Sequence, residues 1–129
     1  MIGVPLWRIS STRKTQDALR ALRAGLVERL EVSDGGRAGE SPRIVRNPEV
    51  ISAVLRSLQS GGYYEPNHDP RAGFEKIITL KPQQLTLRVY QRTPGDASVI
   101  VEIGALPGGG FSGPPVWLDC PDAGTWESL

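Results

Sequence analysis

The chain has 129 residues, a formal net charge of +1, 39% hydrophobic residues, one cysteine and one histidine. A chain of this length buries roughly two-thirds of its surface in one domain, so it needs neither a disulfide nor a metal to fold. A charge near zero does not fit a dedicated binder of nucleic acid or of anionic membranes, because such proteins carry a marked basic excess.

The number of cysteines and the first seven residues give information about the cellular compartment of the protein. A lone Cys120 cannot form an intramolecular disulfide, which fits a reducing environment. Residues 1–7 are apolar, but they contain Pro5 and no basic residue precedes them, so they form neither a signal peptide nor a membrane span. We therefore expect a cytoplasmic protein, with an export signal preceding this sequence as the alternative.

The first predicted elements are a short strand and a short helix. Residues 6–9 suit a short strand, and Thr15 is a suitable N-cap for the helix that follows. That helix is short and amphipathic, and Gly25 is placed to end it.

The next segment is predicted to contribute to a sheet. Residues 26–32 alternate imperfectly as a strand, so a helix that continues through Leu30 stays an alternative. Turn-forming residues dominate residues 33–42, which we expect to be a loop. Residues 26–46 therefore supply one or two strands.

The most consistent pattern is that of a helix over residues 48–60. Asn47 is a good N-cap, Pro48 suits the first helical position, and Gly61 with Gly62 ends the helix. A single apolar stripe, which would bury one side of this helix against a flat surface, comprises Val50, Ile51, Val54, Leu55 and Leu58.

Three later segments alternate between apolar and polar side chains, as strands do. They are residues 75–81, 85–91 and 98–103. Their connections are short and contain prolines, so we expect antiparallel pairing of neighbours into a three-stranded meander. One face of the meander is apolar and the other mostly polar, with Ile77 and Ile100 as exceptions.

Glycine and proline dominate the chain after Gly104, which predicts a loop before a short strand near residues 116–118. The final residues are expected to be loosely held unless Trp126 docks on the domain.

These elements predict an α+β fold with an antiparallel sheet of four to five strands that includes the C-terminal meander. One main helix packs on one face of the sheet, and a short helix lies near the N-terminus. The predicted units are an N-terminal segment over residues 1–25, a core domain over residues 26–118 and a tail over residues 119–129.

Residue types for catalysis or metal binding are scarce. One cysteine and one histidine exclude a four-ligand structural zinc site. Cys120 lies between Asp119 and Asp122, whose charges raise a thiol pKa, and Ser112 lacks the glycine two residues later that a nucleophile elbow requires. We predict no catalytic residue, no metal and no cofactor.

Aromatic residues in loops are the more distinctive feature. Tyrosine, tryptophan and arginine supply much of the binding energy of protein interfaces. We therefore expect a small, non-enzymatic, bacterial-type binding or protein-interaction domain whose partner is another protein, or a second copy of the chain. The alternative is that Trp117 and Phe74 close the ends of the core. The predicted binding residues are Tyr63, Tyr64, His68, Arg71, Phe111 and Trp117.

A second hypothesis is a small hydrolase-like enzyme that uses His68 with Asp69, or Cys120. No motif in the sequence supports that chemistry, and charged or polar residues in a proline-containing loop are expected at the surface in any case.

Overall fold

The fold is built on one antiparallel sheet with helices on one side. The computed structural model describes five parts of the chain, and for residues 6–11 it describes the backbone alone. The described residues are 6–34, 41–66, 68, 70–104 and 116–129.

Within these ranges the chain forms three α-helices, a short 3-10 turn and seven strands. The helices are α1 (Leu6–Ala21), α2 (Pro48–Gln59) and α3 (Ala123–Glu127), and the 3-10 turn is Ala24–Leu26. The strands are β1 (Arg29–Asp34), β2 (Arg43–Val45), β3 (Gly62–Tyr63), β4 (Glu75–Lys81), β5 (Leu85–Tyr90), β6 (Val99–Ile103) and β7 (Val116–Cys120). They lie in the order β2-β1-β4-β5-β6-β7-β3, each antiparallel to its neighbours.

The described sheet has seven strands, so the prediction of four to five is wrong, although the α+β class and the antiparallel sheet are confirmed. The predicted meander of three strands continues into β7, which pairs with β6. At one edge β1 and β2 add two strands, and at the other edge β3 pairs with β7. β3 has two residues, which is too short for an alternating pattern to reveal it.

The N-terminal helix is longer than the sequence predicts. α1 has 16 residues and begins at Leu6, so the strand expected at residues 6–9 is wrong. Thr15 lies inside the helix and is buried, so it does not cap it. The side of α1 that packs toward β7 carries Thr12 and Thr15 as well as Leu19, and those two threonines break the apolar period that would have predicted it.

β1 begins later than the predicted strand over residues 26–32. The preceding residues form the 3-10 turn, and this leaves the side chain of Leu26 57% exposed. Leu30 lies in the strand and is fully buried, so the alternative of a helix continuing through it is wrong.

α2 begins where its capping residue predicts. The side-chain oxygen of Asn47 accepts a hydrogen bond from the Glu49 N–H at 2.9 Å. At the other end, the side-chain amide of Gln59 donates to the main-chain oxygens of Leu19 and Leu22, each at 2.8 Å. Since carbonyls at a helix C-terminus lack partners within the helix, these bonds satisfy the end of α1 and tie it to α2.

One face of the sheet and the facing sides of the helices form the core. Cross-strand register puts paired residues on the same side, so Leu80 faces Leu85 and Leu87 faces Ile103 within this layer. The buried residues that fill it from sheet and helices include Leu30, Val32, Ile51, Val54, Leu58, Ile78, Leu118 and Trp126.

The C-terminal helix is fixed on α2 through a buried hydrogen-bonded chain. Trp126, on whose docking the order of the final residues was predicted to depend, is 0% exposed. Its indole Nε1 donates to the Ser57 hydroxyl at 2.8 Å, and that hydroxyl donates to the main-chain oxygen of Pro121. Because the indole N–H and the Ser57 hydroxyl each have a hydrogen-bond partner, burial of the tryptophan leaves neither group unsatisfied.

A buried cation holds the end of α3. Lys76 lies on the helix side of β4 and donates to the main-chain oxygens of Glu127 and Leu129, both at 2.6 Å. Arg43 donates to the same Leu129 oxygen at 3.1 Å and forms two hydrogen bonds with the Asp34 carboxylate. Burial and the charge of Arg43 lower the pKa of Lys76, while Asp34 and Glu127 oppose that shift.

Replacing the central hydroxyl of the buried chain tests its role. Ser57→Ala leaves the Trp126 N–H and the Pro121 oxygen without this partner, so we expect the free energy of unfolding to fall by about 1–3 kcal/mol. The matched control is Ser60→Ala, which removes an exposed hydroxyl bonded to the main-chain oxygen of Arg56 and should change stability by less than about 0.5 kcal/mol. Urea unfolding measures both, and equal effects would contradict the assignment.

Two adjacent glycines offer a second test of this fold. A Cβ on Gly61 would lie 2.7 Å from the Cys120 sulfur and 3.0 Å from the Leu118 Cβ, whereas a Cβ on Gly62 meets nothing within 4 Å. We expect Gly61→Ala to lower the free energy of unfolding by about 1–3 kcal/mol through overpacking. Gly62→Ala should stay within about 0.5 kcal/mol of the wild type in the same urea measurement. A neutral Gly61→Ala would show that this close approach of Gly61 to β7 is wrong.

Candidate functional site

The side of the sheet that points away from the helices, which we call the open face, carries two aligned rows of side chains. Each row takes one residue from each of β4, β5, β6 and β7. The central row consists of Ile77, Arg88, Glu102 and Trp117. The covered row consists of Glu75, Tyr90, Ile100 and Asp119.

The chain itself buries the middle of the covered row. Tyr90 is 3% exposed and Ile100 is 0% exposed, although both point away from the helices. The Arg71 guanidinium lies 4.4 Å from the centroid of the Tyr90 ring and pairs with the Glu75 carboxylate at 2.8 Å. A cation over an aromatic face is attracted by the ring quadrupole, so this contact fixes Arg71 over the sheet. Ile100 thus departs from the polar alternation of its face because that end of the face is covered.

A second cation–aromatic contact lies beside the covered row. The Arg92 guanidinium is 5.5 Å from the centroid of the Tyr64 ring and 3.6 Å from the Asp96 carboxylate. Burial lowers the pKa of Arg92, but the hydrogen bond to Tyr64 and the carboxylates of Asp96 and Asp119 outweigh it and raise that pKa overall. The Tyr64 N–H also donates to the Trp117 main-chain oxygen at 3.1 Å, which extends the pairing at the sheet edge.

The central row remains accessible. Arg88 is exposed, and within the described residues its guanidinium forms no ion pair or hydrogen bond. Its neighbours in the row, Ile77, Glu102 and Trp117, are each half-buried. An arginine and a tryptophan held on paired strands are therefore presented together with an aliphatic side chain and a carboxylate.

The predicted binding residues do not all lie on this face. Tyr64 and Arg71 contact the covered end of the open face, and Trp117 belongs to the central row. Tyr63 pairs with Leu118, which puts it on the helix side, and its hydroxyl donates to the Glu65 carboxylate.

The remaining candidates are separate from the open face or outside the description. His68 is exposed, has a backbone φ of +53° and makes no hydrogen bond within the described residues. Phe111 and Asp69 lie outside the described residues, so their roles stay predictions.

Sequence reasoning missed Arg88 and Glu102 as candidate site residues. Both follow the polar alternation of their strands, and each alone is typical of a solvent-facing position. The signal lies in the register: Arg88 faces Glu102, and Glu102 faces Trp117. Ile77, opposite Arg88, was already an exception to the polar pattern.

Cys120 is unsuited to nucleophilic chemistry. Its side chain is 0% exposed, and burial, followed by the charge of Asp119, raises its pKa to about 12. At neutral pH the sulfur is therefore a thiol, whereas the nucleophile is a thiolate. Among the described residues no group of three histidine, cysteine or acidic side chains is arranged to hold a metal ion.

Comparison of the chain with protein-family models, curated proteins and solved structures finds no match. No helix in the described ranges is long and apolar enough to cross a membrane. Functional conclusions about this chain therefore depend on its own residues.

The raised pKa of Cys120 makes stability depend on alkaline pH. The folded state keeps the proton up to about pH 12, while the unfolded thiol ionises near its ordinary value of 9.0. Stability from this group is complete below pH 9 and is lost as the pH rises toward 12. At pH 10 the free energy of unfolding of the wild type should fall by about 1 kcal/mol relative to that of Cys120→Ala, with the difference between the two proteins at pH 7.5 as reference. Urea unfolding of both proteins measures it, and parallel pH profiles would contradict the assignment.

Proposed function

We propose that this chain is a non-enzymatic protein-interaction domain that binds another protein through the central row of the open face. The observation that supports the proposal is the presentation of Arg88 and Trp117 in one row on a hydrogen-bonded sheet. Arginine and tryptophan are the residue types that most often dominate binding energy. The strands already fix the backbone of these two residues. Binding therefore costs little conformational entropy beyond that of the side chains.

The covered row indicates the chemistry that this face accepts. There the chain places a guanidinium on the Tyr90 ring and pairs it with the Glu75 carboxylate, through Arg71. The central row offers the same kinds of groups to an external partner. Because an exposed guanidinium pairs with a carboxylate and an indole ring packs against apolar groups, we expect the partner to place a carboxylate against Arg88 and an apolar side chain against Trp117.

Among the residues that the structure describes, which do not include Asp69, no observation favours the hydrolase hypothesis. Cys120 is buried and protonated at neutral pH, and His68 is exposed without a hydrogen bond that would orient it within the described residues. General-base activation needs a nucleophile and base within hydrogen-bond reach, so neither residue supports a reaction.

Two variants of the central row and one charge-reversal control outside it test the proposed binding face. Purified wild-type protein, Arg88→Glu, Trp117→Ala and Arg13→Glu serve as baits in lysate of the source cells. Arg13 is an exposed arginine on α1, in the helix layer, and so controls for charge alone. A protein captured by wild type and Arg13→Glu but not by the row variants is then purified, and we expect its dissociation constant to rise at least about tenfold for each row variant.

Thermal unfolding of all four proteins serves as the folding control. Variants that melt with the wild type yet lose the partner support the central row. Capture that is equal for all four proteins, or no specific capture by the wild type, contradicts the proposed function.

A further inference from the structure

β2 is an edge strand with an open outer side. It pairs with β1 through Val45, Ile44 and Arg43, and no described strand lies on its other side. Outer edges of sheets leave main-chain N–H and C=O groups available to a further strand. The available edge is short, which suits a peptide better than a whole sheet.

An apolar side chain marks this edge. Ile44 is 47% exposed and, opposite Glu31, lies on the open face of the sheet. In the described chain only Leu26 and Ile44 are large hydrophobic residues with this degree of exposure. Its neighbour Val45 packs against the core, so β2 is anchored on one side and exposed on the other.

The charge left without an ion-pair partner beside the edge is positive, since the Glu31 carboxylate opposite Ile44 pairs with Arg29 at 3.1 Å. Arg43 is already paired with Asp34 and the Leu129 oxygen, whereas Arg46 is exposed and has no partner within the described residues. Pairing β2 with a second copy would bring the Arg46 side chains of both chains onto one short ribbon. Since like charges across paired strands are destabilising, the edge disfavours a second copy and favours an acidic strand.

We propose that β2 binds an acidic peptide in extended conformation, which adds a strand to the sheet. Main-chain hydrogen bonds to β2 supply affinity, and side chains of alternate peptide residues supply specificity. A peptide carboxylate pairs with Arg46, and an apolar peptide residue covers Ile44. This site is separate from the central row, so it goes beyond the proposed function.

Two synthetic peptides of about eight residues test the proposal, one alternating glutamate with valine and the other alternating lysine with valine. NMR spectra and amide hydrogen exchange of the full chain report where each binds. We expect the acidic peptide to shift the amide signals of residues 43–46 and slow their exchange at least about tenfold. The basic peptide should leave these signals unchanged.

Variants separate this site from the central row. Arg46→Glu should weaken binding of the acidic peptide at least about tenfold, while Arg13→Glu and Trp117→Ala should bind it as the wild type does. Spectra away from the edge confirm that each variant is folded.

The proposal is overturned if about 1 mM acidic peptide leaves residues 43–46 unshifted, or if Arg46→Glu binds it normally. Shifts confined to Arg88 and Trp117 would instead assign acidic peptides to the central row. Protection of the β2 amides without peptide, together with dimers in light scattering, would assign the edge to a second copy.

Discussion

Burial of one face of the sheet beneath the helices is the constraint on which the rest of the structure depends. A polar group buried on that side loses its hydrogen bonds to water, so it costs free energy unless the protein supplies a partner. Ser57 meets this need for Trp126, and Lys76 does so by bonding to the oxygens at the end of α3. The C-terminal helix is therefore joined to the core by directional bonds as well as by apolar contact. A short helix that is weak in isolation gains its order from these partners.

The same constraint makes the two faces of the sheet chemically different. The helices pack on the apolar face, whereas the described residues bury only part of the other face. It covers one end of the open face with Arg71 over Tyr90 and leaves the row of Arg88 and Trp117 accessible. A cation above an aromatic ring, paired with a carboxylate, is stable at such a half-covered site because its polar rim stays near water. The accessible row carries groups of the same kind, and within the described residues Arg88 forms no ion pair or hydrogen bond, although Glu102 faces it across the strands.

The pattern of apolar and polar residues predicted the helices and strands that are buried on one side along their whole length. The Asn47 cap and the single apolar stripe of α2 predicted its helix, and alternation predicted β4, β5 and β6 because one face of each strand is buried. The buried side of α1 was missed because two of its positions are Thr12 and Thr15. The burial of Ile100 depends on residues that are distant from it in the sequence, so the pattern within its own strand could not predict it. Part of the candidate site was predicted. Trp117 was recognised by its residue type, whereas Arg88 became a candidate only when the strand register placed it in the same row.

Edge strand and open face differ in what they can recognise. A face offers side chains alone, and in the proposed function its specificity would come from the fixed spacing of Arg88, Glu102 and Trp117 across strands. A strand edge binds a peptide mainly through main-chain hydrogen bonds, so it accepts many peptide sequences unless nearby charge restricts them. The arginine beside β2 supplies that restriction, and it also protects the edge from pairing with a copy of itself. In the proposed site, positive charge at the edge thus contributes to selectivity in two ways, since the feature that repels a second copy attracts an acidic strand.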